Sequence, residues 1–228
     1  MTDTTTAPAH PAKFSAPIIE VIRPMLDELS FLRDPPPMRV LDPMAGVGTV
    51  HTLAIPNVIQ TWGLEIEPEW ADQHPNTWEG DATAMPFPDN YFDAIVTSPP
   101  YGNRMADQFV SKDGTRRITY YHFLGRRLHE NSAAGMHFGD EYQKTMRDIF
   151  IECKRVLTMR GAIILNVSDF IKNGQVVPVV QFYLDLLHDL GYHVSRDVPV
   201  PTQRMKFGAN GKLRVDHERV ILFTRKKY

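Results

Sequence analysis

The run Phe92-Asp93-Ala94-Ile95-Val96-Thr97 is apolar and β-branched, and it stops abruptly at Ser98-Pro99-Pro100-Tyr101. Consecutive prolines supply no backbone donors and cannot extend a central strand, so the chain must leave its sheet at this point. Proline also fixes the backbone φ, which leaves the adjoining carbonyls rigidly aimed. A rigid carbonyl and the Ser98 hydroxyl can accept hydrogen bonds from an amino group, while Tyr101 offers a flat face on which a base can stack. A simple strand-ending turn accounts for the two prolines but not for the serine and tyrosine around them.

The rest of the chain alternates between two hydrophobic periods. Ser15 followed by Ala16-Pro17 marks a helix start. Ile18, Ile19, Ile22, Met25, Leu26 and Leu29 follow at helical spacing, with Pro24 a candidate kink. The breaker Asp34-Pro35-Pro36-Pro37 precedes a short strand from Met38 to Leu41, and a second strand covers Ile59 to Leu64. From Asp140 to about Thr158 the spacing predicts an amphipathic helix with Tyr142, Met146, Ile149, Phe150, Cys153, Val156 and Leu157 on one stripe. Gly161 is expected to end it, ahead of a buried strand from Ala162 to Val167. Val179 to Leu190 reads as another helix, closed by Gly191. Strands near His193 to Val200 and Glu218 to Arg225 follow in succession. Strands alternating with helices imply an α/β fold with a doubly wound, mainly parallel sheet, and the last two strands suggest an antiparallel hairpin at one edge. The 228 residues suffice for one such domain. The expected organisation is a flexible tail over 1–12 and a single domain over 13–228.

Composition narrows the function classes. At 43% hydrophobic and 23% charged the chain reads as ordinary globular protein. No apolar run approaches the ~18–20 residues that span a bilayer, and the first eleven residues lack the apolar core of a secretory signal. The single cysteine, Cys153, leaves no disulfide framework and no Cys-based metal site, so no metal is expected and a reducing cytoplasm fits. Net charge is -2, but it is unevenly spread. Six basic and three acidic residues lie between Gly102 and Asn131, and eight basic and two acidic between Gln203 and Tyr228. Two basic segments on an acidic body form either a phosphate-contacting face or ordinary solvated turns.

Val40-Leu41-Asp42-Pro43-Met44-Ala45-Gly46-Val47-Gly48-Thr49 is a strand running into a glycine turn, which lets the backbone approach a nucleotide-like ligand closely. Glu65, in Gly63-Leu64-Glu65-Ile66-Glu67, stands at the end of the second strand, where an acid accepts hydrogen bonds from ribose hydroxyls in dinucleotide folds. Asp81, in Glu79-Gly80-Asp81-Ala82, offers a further carboxylate at a strand end. Each feature alone is a turn or a surface charge; the ordered set is harder to obtain by accident.

Together these residues resemble the amino-methylating branch of the class I S-adenosylmethionine-dependent methyltransferases, of the DNA cytosine-N4 and adenine-N6 type. Its DNA members carry a [DNS]-P-P-[YFW] signature at the position of Ser98, Pro99, Pro100 and Tyr101. His10-Pro11-Ala12-Lys13-Phe14-Ser15 is similar to the family's N-terminal motif, which implies that Lys13, Phe14 and Ser15 help to hold the methionine end of the cofactor. Asp42 to Thr49 is similar to the D-P-F-x-G-x-G-T cofactor loop, with Met44 where phenylalanine is usual. The implied cofactor contacts are Asp42, Pro43, Met44, Ala45, Gly46, Gly48 and Thr49, then Glu65 with Ile66, and Asp81 with Ala82. His217 to Phe223 resembles the family's last strand.

What the resemblance implies is a seven-stranded Rossmann-like sheet and an enzyme that methylates an exocyclic amino group of a DNA base, cytosine-N4 in preference to adenine-N6. The target base leaves the stack, and Ser98 and the Pro99 carbonyl hold its amino group while Tyr101 stacks on the ring. An RNA base methyltransferase, guanine-N2 or adenine-N6, or a catalytically silent methyltransferase-fold subunit are the alternatives. Carbon-5 methylation of cytosine would need a cysteine nucleophile, and Cys153 lies mid-helix on an apolar stripe. The motifs occur in unpermuted order, with no room for a long target-recognition module. Only 102–139 is left for that task, as a recognition insertion or a lid, with a helix expected over Ile118 to His129. Its Arg104, Arg116, Arg117, Arg126 and Arg127, interleaved with Tyr120, Tyr121, His122 and Phe123, suit phosphate contact and base stacking. Recognition is then either short or dependent on a homodimer or an accessory subunit. A place in restriction-modification is the expected setting.

Overall fold

The structure is a computed structural model that describes residues 14–33, 35–103, 119–202 and 215–225. Seven strands form one sheet: β1 (Met38–Asp42), β2 (Ile59–Glu65), β3 (Thr77–Glu79), β4 (Phe92–Thr97), β5 (Leu157–Val167), β8 (Tyr192–Pro201) and β9 (His217–Arg225). A separate small hairpin pairs β6 (Phe170–Lys172) with β7 (Gln175–Val177). The helices are α1 (Ala16–Phe31), α2 (Pro68–Ala71), α3 (Tyr120–Leu124), α4 (Asp140–Val156) and α5 (Val179–Asp189).

The sheet order is β3-β2-β1-β4-β5-β9-β8. Strands β3 to β5 run parallel, and β9 is antiparallel to both β5 and β8. The edge hairpin therefore exists, but the antiparallel strand is inserted inside the sheet and β8 forms the edge. Alternation along the central strands explains the layering. Val40, Ala94, Val96, Ala162 and Ile164 point to one face, where Ile18, Ile22, Met25 and Leu26 of α1 cover them. Leu41, Phe92, Ile95, Ile163 and Leu165 point to the other, beneath Met146, Phe150 and Cys153 of α4 and Tyr183 and Leu187 of α5. Both faces are thus sealed, as an interior parallel sheet requires. Among the described residues no helix is long and apolar enough to cross a membrane.

Several sequence expectations need adjusting. Ser15 is the residue before α1, but its hydroxyl makes no capping bond, and the helix runs through Pro24 to Phe31. Helix α4 ends at Val156 and β5 begins at the next residue, so Gly161 lies inside a strand instead of stopping a helix. A Cβ at Gly161 would stand 2.8 Å from Leu157 Cδ2, so crowding and not helix termination accounts for this glycine. The helix expected over Ile118 to His129 is only the five residues of α3, closed by Gly125 with φ 70°. Strand β3 and the β6–β7 hairpin are too short to give a period. Residues 1–13, which include the whole of the expected tail, lie outside the described residues.

Because Ile164 is fully buried beneath α1 while Val176 is 57% exposed in the hairpin, truncation should separate them sharply. Ile164→Ala is expected to cost about 2–5 kcal/mol and Val176→Ala less than about 0.5 kcal/mol, both read from denaturant midpoints.

Candidate active site

The strand order reverses between β1 and β4, which pair directly through Val40–Ala94 and Leu41–Ile95. Chains leaving the carboxyl ends of two such strands diverge to opposite sides and leave a crevice between them. The glycine loop leaves β1 at Pro43, and Ser98-Pro99-Pro100-Tyr101 leaves β4 beside it. In the loop Gly46 and Gly48 have φ of 52° and 76°, left-handed values that strain residues bearing a Cβ. Ala45 N–H donates to the Leu64 carbonyl at 3.0 Å. A Cβ on Gly63 would stand 2.8 Å from Ala45 Cβ and 2.6 Å from Thr77 Oγ1, so a bare glycine in β2 lets the loop settle on the sheet. Pro43 and Ala45 are buried, Met44 is half-buried against the core, and Thr49 opens a short 3-10 helix, Thr49–Leu53.

The three acids flank this loop. Asp42 is buried at the end of β1 and accepts from Met44 N–H at 3.1 Å. Glu65 is buried at the end of β2 and accepts from Gly46 N–H at 2.8 Å and Glu67 N–H at 3.0 Å, one bond to each oxygen. It thereby ties the loop to the neighbouring strand. Burial is the main cause that pushes both carboxyls up, each to about 7, with a smaller push on Asp42 from Glu65 and on Glu65 from Glu67. Asp81 is only partly buried and is held low by bonds from Thr83 N–H, the Thr83 hydroxyl and Asn131 Nδ2 against the upward push of desolvation. Ile66 is half-buried beside Glu65, and Ala82 is buried beside Asp81.

The turn after β4 is held from two sides by residues that local sequence patterns did not single out for the site. From below, the Tyr142 hydroxyl donates to the Pro100 carbonyl at 2.6 Å and accepts from the Tyr183 hydroxyl at 2.6 Å. Both tyrosines are fully buried, and burial pushes their hydroxyls above the usual phenol range. From the side, Asn166 Nδ2 donates to Ser98 Oγ at 3.2 Å and to Glu218 Oε2 at 2.7 Å. Tyr101 Oη lies 3.3 Å from the same Glu218 oxygen and 3.5 Å from Ser98 Oγ. Tyr142 was expected only as part of a core stripe and Glu218 only as part of a last strand. The available signal was a polar residue, Asn166, near the end of an otherwise apolar buried strand. Pro99 is buried, while Ser98 and Tyr101 are partly exposed.

The segment after the turn folds back over the acids. His137 and Phe138 bridge to Asn103 and Gly102, which anchors the return directly on the turn. Asn131 reaches Asp81, His129 N–H donates to Glu67 at 2.7 Å, and Tyr120 is buried edge-on against Trp70. Arg126 pairs with Glu69 through two nitrogens and with Glu67 at 2.8 Å. Its guanidinium therefore fastens the segment to the body. Arg127 is exposed and lines a cavity of about 700 Å³ together with Tyr121, Met136, His137 and Asp140. Phe14 is buried in the core beside α1 and Ser15 is exposed; Lys13, Arg104, Arg116 and Arg117 lie outside the described residues.

Two buried acids beside glycine-loop amides form a cradle for a ligand that brings hydroxyl donors, because such donors would offset the desolvation of the charged carboxylates. A nucleoside ribose fits that requirement, and the residues present fit S-adenosylmethionine. Without a ligand the same acids oppose folding. Their folded-state pKa values exceed the unfolded ones, so the folded chain binds more protons between about pH 4 and 7 and their contribution to stability falls as pH rises through that window. His51, pushed down to about 4 by burial, has the opposite slope, so variants should be compared with the parent. Asp42→Asn, whose amide oxygen can still accept from Met44 N–H, is expected to stabilise the ligand-free protein relative to the parent by about 1–3 kcal/mol at pH 8. The advantage should shrink towards pH 5, as measured by denaturant unfolding across that range.

Similarity to known proteins agrees with this geometry. A protein from Galdieria sulphuraria described as a sarcosine dimethylglycine methyltransferase superposes with a TM-score of 0.56 at 15% identity, over 91% of this chain and 84% of the other. An S-adenosylmethionine-dependent methyltransferase from Methanosarcina mazei gives a TM-score of 0.54 at 12% identity, over 84% and 94%. The YcgJ protein from Bacillus subtilis gives 0.50 at 14%, over 89% and 98%. At these identities the likeness establishes the class I methyltransferase fold. No curated protein matches by sequence. The DNA methylase family of N6 and N4 methyltransferases matches residues 92–228, which is more than half of the chain and includes the Ser-Pro-Pro-Tyr turn, α4, α5 and the terminal strands. The chain belongs to that family: it is a methyltransferase, and S-adenosylmethionine is its cofactor.

Proposed function

We propose that this methyltransferase acts on the exocyclic amino group of a base in DNA, cytosine-N4 in preference to adenine-N6. The observation that carries the reading is the direct pairing of β1 with β4, which sets the glycine loop and the Ser-Pro-Pro-Tyr turn on two sides of one crevice. S-adenosylmethionine supplies an electrophilic methyl group. The loop from Asp42 to Thr49, with Glu65, Ile66, Asp81 and Ala82, would hold it, and Phe14, Ser15 and Lys13 would lie towards its methionine end. Residues 13–228 act as a single methyltransferase domain, with 102–139 as its substrate-recognition insertion or lid.

Ser98 Oγ and the Pro99 carbonyl accept hydrogen bonds from the target amino group, and Tyr101 stacks on the ring. The Pro100 carbonyl is already engaged by Tyr142, which holds the turn rigid while the Pro99 carbonyl keeps its role. Acceptors so placed draw the amino nitrogen towards tetrahedral geometry and expose its lone pair, so the rate arises from positioning and electrostatics. Carbon-5 chemistry has no nucleophile here: the single cysteine is fully buried under β5, and desolvation pushes its thiol far up. The experiment that tests the reading offers DNA and RNA in parallel with labelled methyl donor and analyses the product nucleosides. N4-methylcytosine in DNA supports it, and label in RNA alone overturns the DNA assignment. Cofactor binding without any transfer would identify a silent subunit.

Two further outcomes follow from the residue roles. Glu65→Ala should weaken cofactor binding by about 1–3 kcal/mol, measured calorimetrically, whereas Ser98→Ala and Tyr101→Ala should nearly abolish turnover and leave that affinity largely intact. Full activity in Tyr101→Ala would remove the stacking role. On the substrate side, each phosphate contact adds about 0.7–0.9 to the salt slope of binding. Replacing Arg116, Arg117 and Arg127 together should flatten that slope by about two units. An unchanged slope would make the segment a structural lid and shift the contact to the basic stretch after Gln203, or to a second subunit.

A further inference from the structure

Serine can accept a hydrogen bond from the target amino group, but a neutral hydroxyl cannot keep the proton that this group must lose. Transfer forms a nitrogen–carbon bond with the nitrogen lone pair and breaks the sulfur–carbon bond, whose pair goes to sulfur. The amino nitrogen is then cationic, and one proton has to depart. A carboxylate within reach of Ser98 would meet that need.

The pairing of strands brings one there. Thr97 pairs with Leu165 across β4 and β5, which sets Ser98 beside Asn166. Asn166 pairs with Val220 across β5 and β9, so Glu218, two residues along, is its diagonal neighbour on the same face. The geometry points to Glu218 as the terminal proton acceptor of the methyl-transfer step, reached from Ser98 through the Tyr101 hydroxyl. This inference rests on the amino-methylation reading above.

Donor and acceptor capacity supports the path. Asn166 is 3% exposed and donates both to Ser98 Oγ and to Glu218 Oε2, which fixes the hydroxyl and the carboxylate relative to each other. With one lone pair of Ser98 taken by Asn166, the other is left for the substrate amino group and the hydroxyl hydrogen for Tyr101 Oη. Tyr101 in turn donates to Glu218 Oε2 at 3.3 Å. The Ser98–Tyr101 separation of 3.5 Å is long, as catalytic hydrogen bonds often are before substrate tightens them. In the step itself the amino nitrogen gives its proton to Ser98 Oγ. Ser98 passes its hydroxyl proton to Tyr101 Oη, and Tyr101 passes its own to Glu218. The neutral carboxyl then releases a proton to water, and Ser98 and Tyr101 end as they began. Tyr101 thus has two separable functions, a ring that stacks and a hydroxyl that conducts.

Glu218→Gln tests the charge apart from the geometry, because both Asn166 and Tyr101 bond the same oxygen and an amide oxygen can replace it. Tyr101→Phe tests the hydroxyl apart from the ring. The measurements are single-turnover methyl transfer to a nucleic acid that the parent methylates, its rate in D2O against H2O, calorimetric cofactor affinity and melting temperature. In each variant the rate constant is expected to fall roughly 100-fold or more, with cofactor affinity and melting temperature near those of the parent. The double variant should be no slower than the worse single one, since both changes cut one path. The parent should slow in D2O, and both variants should lose that dependence. Glu218→Gln within tenfold of the parent, or additive losses in the double variant, overturns the relay. Should Glu218→Gln fail to fold, Tyr101→Phe decides alone: parental rate and isotope effect overturn it. A parent that methylates no amino group on any nucleic acid refutes the proposed function and not the relay in particular.

Discussion

Everything functional in this protein depends on two parallel strands, β1 and β4, lying side by side where the order of the sheet reverses. Their carboxyl ends are adjacent, yet the chain must leave them in different directions because each is followed by its own crossover. The backbone amides that follow β1 and the carbonyls that follow β4 therefore face a common space. No side chain creates this arrangement. It arises because buried parallel strands pair by backbone, and their apolar residues are sealed by α1 on one face and by α4 and α5 on the other. The side chains determine what the space can do.

Those side chains are costly to keep. Asp42 and Glu65 are almost fully buried, and burial pushes both towards neutrality near pH 7. A protein selected for stability alone would place apolar groups there. Glu65 recovers part of the cost by accepting from Gly46 and Glu67, which also shapes the loop. The Tyr142–Tyr183 pair follows a related logic: two phenols are buried in an aromatic core, and one of them is bonded to the Pro100 carbonyl. These buried polar groups thus converge on the two turns that line the crevice. Polar burial is spent where position matters most.

How much of this could be read from the sequence depends on the range over which each signal acts. The Ser-Pro-Pro-Tyr turn, the glycine loop and Glu65 carry their meaning in contiguous residues, because proline, glycine and a strand-end acid act on their own backbone. Long periodic segments such as α1, α4 and α5 were legible for the same reason. Strand β3 was legible only from the acid after its end, since three residues give no period. Gly161 misled because glycine ends helices and also relieves crowding, and only the packing of Leu157 separates the two. The ion pairs of Arg126 were not legible because its partners, Glu67 and Glu69, lie 57 residues or more away. Asn166 and Glu218 belong with that group: neither has a local reason to be at a site, and only the register of β4, β5 and β9 brings them to Ser98.

The segment after the Ser-Pro-Pro-Tyr turn links these two kinds of information. It begins at Gly102, whose φ of 67° and closeness to the Phe138 backbone leave no space for a side chain. It ends on α4, whose Tyr142 holds the Pro100 carbonyl. Between those anchors, within residues 119–139, Arg126, His129 and Asn131 contact Glu67, Glu69 and Asp81, the acids along the cofactor side of the crevice. Residues 119–142 are therefore fastened both to the Ser-Pro-Pro-Tyr turn and to Glu67, Glu69 and Asp81. The position of the Ser-Pro-Pro-Tyr turn and the packing around Glu67, Glu69 and Asp81 are thus tied to one segment, because the same residues 119–142 contact both.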